Sequence, residues 1–158
     1  MTLAMEALIQ DRWREEKAPI IDGVLFASGD IALFRYEWIA EPSIGVRAVA
    51  TGQHTTLQEF LDAKPGFWTA LTELGSVPWL EGGLRIVCGG GGFGADGYVG
   101  ACVADTNYLL WLAFFQESNP FDEITLEGAT AIARSTYGQR WTFPIREPLS
   151  FSVGDPAF

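Results

Sequence analysis

Leu84-Arg85-Ile86-Val87-Cys88-Gly89-Gly90-Gly91-Gly92-Phe93-Gly94-Ala95-Asp96-Gly97-Tyr98-Val99-Gly100-Ala101-Cys102-Val103 is the stretch on which the fold turns. Residues 92–97 match the dinucleotide fingerprint G-x-G-x-x-G. That fingerprint works only when a helix follows at once, because the helix N-terminus faces the pyrophosphate. Here a strand-like run, 98–104, follows, and no lysine completes a phosphate loop. The stretch therefore reads as two antiparallel strands, 84–88 and 98–104, around a glycine-rich loop, 89–97, that can take positive backbone angles. Phe93 stands at the loop tip, a candidate to insert into a partner.

Towards the C-terminus, Asp105-Thr106-Asn107 makes a turn. Residues 108–116 follow as the most apolar and hence central strand. Ser118-Asn119-Pro120 turns the chain again. Strands over 124–127, 129–135 and 140–145 are separated by Gly128 and by Tyr137-Gly138-Gln139. Towards the N-terminus, 3–17 reads as a helix with Leu3, Ala7, Leu8 and Trp13 on one face, stopped by Pro19. Residues 23–39 read as a hairpin turning at Ser28-Gly29-Asp30. In its second arm Phe34, Tyr36 and Trp38 alternate with Leu33, Arg35 and Glu37, the period of a half-buried strand. Glu41-Pro42-Ser43 ends that arm, and a strand over 45–51 follows. Thr56-Leu57-Gln58-Glu59 is a capping box. The spacing predicts a helix after it, broken at Lys64-Pro65-Gly66 and resumed over 67–74 before Gly75. The expected architecture is a single α+β domain over 1–158. It has one antiparallel, strongly curved sheet of about seven to nine strands, covered by an N-terminal helix and a central short helix pair. A closed or half-closed barrel is the alternative.

Composition narrows the function. The 158 residues are 48% apolar and 19% charged, which excludes intrinsic disorder. Twenty acidic residues against ten basic ones leave a formal charge of −10, spread along the whole chain. A protein that tracks phosphates needs the opposite field, so nucleic acid is not an expected partner. The longest apolar run, 108–115, is far short of the roughly 20 residues of a membrane-spanning helix. Glu6 interrupts what would be a signal segment, and the expectation is a soluble cytoplasmic protein. Cys88 and Cys102 flank the glycine-rich loop and read as small buried hydrophobes rather than a disulfide. The only histidine, His54, has no nucleophile beside it, and the cysteine and histidine spacing matches no zinc pattern. No cofactor or metal is expected.

Candidate contact residues are Trp79, in a loop beside Glu81, then Phe93, and the acids Asp105, Glu117, Asp122, Glu123 and Glu127 near strand ends. Trp38, Trp68, Trp111 and Trp141 lie in apolar, periodic surroundings and read as core. An acidic, aromatic-studded body without a catalytic motif resembles, in general character, the small cytosolic immunity proteins of bacterial toxin–immunity pairs. That resemblance implies a non-catalytic protein that covers or plugs the active site of a cognate, basic toxin domain, with the acids above and Trp79 and Phe93 as its contact residues. The competing expectation is a small-molecule binder or enzyme, whose pocket has Tyr36, Trp38, Trp111 and Trp141 as walls and Arg35 or Arg140 as an anion contact. An accessory subunit of a larger complex is a third.

Overall fold

Helix α1 spans Thr2–Arg14 and buries Ile9 and Trp13, with Met5 packed alongside. These residues recur every four positions and so share one face. That face is rotated from the expected one: Ala7 is exposed and Leu8 half-buried. Buried Gln10 joins the apolar stripe because its amide pairs with the backbone of Leu109, donating at 2.9 Å and accepting at 2.8 Å. The computed structural model describes residues 2–39 and 45–154, so the expected break at Glu41-Pro42-Ser43 lies outside the described residues, as does the Leu3 side chain. After α1 come β1 (Lys17–Pro19), β2 (Gly23–Phe26), β3 (Asp30–Ile39) and β4 (Gly45–Thr56). Helix α2 (Leu57–Ala63) starts at Thr56, whose hydroxyl accepts from the Glu59 amide at 3.2 Å, one half of the capping box; the Glu59 carboxylate accepts from the Thr55 hydroxyl at 3.2 Å in place of the Thr56 amide.

The chain continues through β5 (Trp68–Ala70), β6 (Thr72–Trp79), β7 (Leu84–Gly90), β8 (Gly97–Val103) and β9 (Leu109–Phe115). The last strands are β10 (Phe121–Glu127), β11 (Thr130–Ser135), β12 (Arg140–Pro144) and β13 (Ser152–Gly154). Seven of these strands form one antiparallel sheet in the order β4-β3-β2-β9-β8-β7-β6. The apolar strand β9 lies at its centre, between β2 and β8. One face of this sheet packs under α1, α2 and the small β1–β5 ribbon, through Leu25, Val87, Tyr98, Leu112 and Phe114. The other face packs on a four-stranded sheet, β10-β11-β12-β13, through Val24, Ile86, Val99, Trp111 and Phe115.

The expectation of one strongly curved sheet is therefore wrong: the strands divide into sheets of two, seven and four. Both faces of β9 are apolar, and the helices cover only one. The chain turns at Ser118-Asn119-Pro120, with Asn119 at φ 66, and lays its last strands over the uncovered face. The central helix pair is also corrected, since only α2 is a helix. Gly66 takes φ 78, and the β-prone Trp68-Thr69-Ala70 then pairs with β1 instead of resuming a helix. Trp38, expected in the core, is 62% exposed, because β3 and β4 run on beyond the end of β2.

The inter-sheet core is aromatic. The fully buried Trp141 ring lies 4.8 Å from Phe115, 5.3 Å from Phe121 and 5.9 Å from Phe151, centroid to centroid. Its indole nitrogen is buried without a hydrogen-bond partner. Trp141→Ala is expected to cost about 3–5 kcal/mol in urea unfolding, through the cavity it leaves. Trp141→Phe should cost much less, because no hydrogen bond is lost with the indole.

Candidate functional site

The registers of the large sheet sort the sequence candidates between its two ends. Gly90 pairs with Gly97, and Gly97 with Phe115, at one end; Leu84 pairs with Val103 at the other. Phe93 lies in the loop at the first end. Residues 117–120 meet that loop through the Asn119 amide, which donates to Ala95 O at 2.7 Å. Glu117 is thus near Phe93, and Asp122 and Glu123 follow at the start of β10. Trp79, Glu81, Asp105 and Glu127 belong to the opposite end. Trp79 pairs with Leu84, the Ala104 amide donates to Gly83 O at 3.0 Å, and Glu127 closes β10 against Thr130. The candidate acids therefore do not line one edge of the sheet. Asp105 and Glu117 are separated by the length of the seven-residue β9, about 20 Å.

At the Trp79 end, the two sheets part around a groove of about 440 Å³. Phe26, Trp79, Leu84, Leu110 and Trp111 line it from the large sheet, and Ile145, Arg146 and Pro148 from the chain after β12. A bulge in β9, opposite Ala101 and Cys102, turns both Leu110 and Trp111 to this face. Trp111 Nε1 donates to Ile145 O at 2.9 Å and ties the sheets together at the groove floor. Trp79 is only 6% exposed: the short 3₁₀ turn Leu80–Gly82 folds over it and the Arg146 guanidinium stacks at 5.0 Å. A side chain at position 82 would strike the Trp79 ring. The exposed anchor at this place is its neighbour, Leu80, at 87%. Sequence reasoning singled out Trp79 and Glu81 and missed Leu80, since an isolated loop leucine carries no periodic signal.

The glycine-rich loop is an ordered turn in which the amides of Gly91, Gly92 and Phe93 are already paired. Buried Asp96 accepts from the amides of Gly91 at 3.1 Å and Phe93 at 3.4 Å. Thr69 Oγ1 accepts from the Gly92 amide at 2.9 Å. A carboxylate sits where a phosphate would have to sit, and this separates the loop physically from a dinucleotide site. Phe93 projects from it, 70% exposed.

Adjacent acids on a regular strand face opposite ways, yet Asp122 and Glu123 are both exposed. A register shift between Phe121 and Glu123 brings both carboxylates to Arg134, at 3.6 and 3.1 Å. The residues of the expected aromatic pocket do not converge. Trp141 is core, Trp38 is exposed and Trp111 lines the groove. The Tyr36 hydroxyl donates to Asp22, and burial and that carboxylate push its phenol up. Arg35 pairs with Glu37 at 3.6 Å and Arg140 is exposed. His54 is exposed on the edge strand β4, opposite Ala32.

Among the described residues no group of three or more His, Cys, Asp or Glu side chains is placed to hold a metal ion. No helix there is long and apolar enough to cross a membrane. Comparison of the chain with protein families, with curated proteins and with solved structures finds no match.

Cys88 and Cys102 are free and buried on opposite faces of the sheet, Cys88 in the inter-sheet core and Cys102 beneath the helices. Burial, reinforced by Asp122, pushes the Cys88 thiol up to about 12, and burial raises Cys102 as well. Native protein at pH 8 is expected to resist a thiol reagent, and both cysteines should react in urea; fast native labelling would contradict this placement. Because the folded value of Cys88 is raised, its contribution to stability is intact below the ordinary value of 9.0 and falls as pH climbs from there towards about 12.

Gly89 meets a different constraint. A Cβ there would strike the carbonyl oxygen of Thr72 on the paired strand and crowd the Tyr98 ring. Gly89→Ala is expected to destabilise by about 2 kcal/mol or more in urea unfolding, well beyond an ordinary surface substitution.

Proposed function

We propose that the protein is a non-catalytic binding protein that neutralises a cognate, basic toxin domain by covering or plugging its active site. The observation that carries this reading is Leu80, 87% exposed in the turn between Trp79 and Gly82, two residues that line an apolar groove. Glu81 lies in the same turn, and Asp105, in the turn after β8, and Glu127, the last residue of β10, lie at the same end of the molecule. An apolar centre with a charged rim is how specific protein interfaces are built. The formal charge of −10 selects a basic partner and speeds its approach. An apolar side chain of the toxin enters the groove between Trp79 and Trp111 while the rim acids face its substrate-binding cations.

A groove of about 440 Å³ is also of the size that holds small molecules. Thermal stabilisation by a metabolite, lost when Leu110 or Leu84 is enlarged, would favour that second reading.

The test is to mix the protein with the toxin domain encoded immediately upstream. A one-to-one complex that abolishes toxicity is expected, with association slowed by added salt. Leu80→Asp should weaken the complex roughly tenfold or more, since it places a charge at the buried centre. A neighbouring product that neither binds nor harms cells lacking this protein would sink the proposal, and an unchanged affinity in Leu80→Asp would remove the groove from the interface.

A further inference from the structure

A second cleft, of about 120 Å³, opens on the helix side of the large sheet, away from the groove. Trp13, Glu16, Glu73, Arg85, Tyr98 and Asn107 line it. Among the described residues, two of the three non-glycine positions with positive φ lie here, Glu16 at 59° and Asn107 at 61°. Asparagine accepts that conformation readily, whereas glutamate takes it at a cost of about 1 kcal/mol or more. The Leu71 amide, donating to Glu16 O at 2.8 Å, helps to hold the backbone in place.

The hydrogen bonds around the cleft leave acceptors over. Arg85 donates to Glu73 Oε1 at 3.0 Å and to Asn107 Oδ1 at 3.1 Å. Trp13 Nε1 donates to the same Asn107 oxygen at 3.3 Å. Arg14, at the mouth, is paired with Asp11. Both arginine charges are thereby compensated within the chain. The second oxygen of Glu73 and the carboxylate of Glu16 have no partner among the described residues, and neither has the hydroxyl of Tyr98, a residue only 2% exposed. Glu73 and Glu16 both lie close enough to add to the upward push that burial gives the Tyr98 phenol. Trp13 and Tyr98 meet edge to face, centroids 6.3 Å apart, and form the aromatic wall.

We infer that this cleft binds a primary alkylammonium group and, resting on the function proposed above, that the group is a lysine side chain of the basic partner. An ammonium offers three donors and no acceptor, which matches the three open acceptors of Tyr98, Glu73 and Glu16. The Trp13 ring lines the cleft beside these acceptors. An anion would meet two carboxylates. A guanidinium could pair bidentately with Glu16 alone, because Glu73 already spends one oxygen on Arg85, whereas an ammonium matches three separate single acceptors.

The experiment is a titration of the isotope-labelled, full-length protein with butylammonium chloride, with butanol, butylguanidinium and sodium acetate as comparisons. The readouts are the Asn107 amide and the Trp13 indole N–H, the latter identified by its loss in Trp13→Phe. Saturable shifts with butylammonium, weakened roughly tenfold by Glu16→Gln and by Tyr98→Phe in variants that keep the native spectrum, are the expected result. No saturable shift with butylammonium, equal or stronger binding of butylguanidinium or acetate, or unaltered affinity in both variants would overturn the assignment. Such a failure alongside a salt-sensitive, Leu80-dependent toxin complex removes the cleft and leaves the proposed function standing.

Discussion

Strand β9 buries Trp111, Ala113 and Phe115 on one face of the large sheet and Leu112 and Phe114 on the other. Each large side chain so buried is worth roughly 1.5–3 kcal/mol, and each would be forfeited if its face met water. A sheet with an apolar strand of this kind at its centre must be covered twice. The N-terminal helix, α2 and the short ribbon supply one cover, and the last four strands supply the other. The three-layer arrangement, the aromatic seam around Trp141 and the groove where the two sheets part all follow from that requirement.

The groove exists because the two sheets do not end together. The bulge at Leu110 and the cross-sheet bond from Trp111 to Ile145 fix its floor. Trp79, Gly82 and Arg146 form a packed wall, and the turn that completes this packing leaves Leu80 with nothing of its own chain to cover it. An exposed leucine beside an apolar groove, on a body of formal charge −10, is the feature on which the proposed binding of a basic macromolecule rests. The second cleft has another character. Its charges are neutralised pairwise except for one glutamate, and its lining includes a tyrosine only 2% exposed.

Local chemistry was legible in the sequence where a single segment carried the whole signal. The capping box at Thr56 starts a helix, Asn119 and Gly128 take left-handed turns, and the strands flanking the glycine loop pair as expected. The helix over 67–74 was misread because apolar spacing in so short a run suits either period, and the pairing with β1 decided for the strand. That Asp122 and Glu123 share Arg134 was not legible, since a bulge leaves no mark in composition. Trp38 was read as core from strict alternation, which is correct for the strand and silent on where its cover ends.

The sequence by itself determined the local elements, the acidity and the doubly apolar character of the central strand, because each depends on residues close together along the chain. Only the tertiary structure decided how the strands divide between sheets, which candidates share an end, and that Trp79 is wall and Leu80 exposed. Those are relations between segments tens of residues apart. Their energy comes from which faces are jointly removed from water, a quantity that no single segment contains.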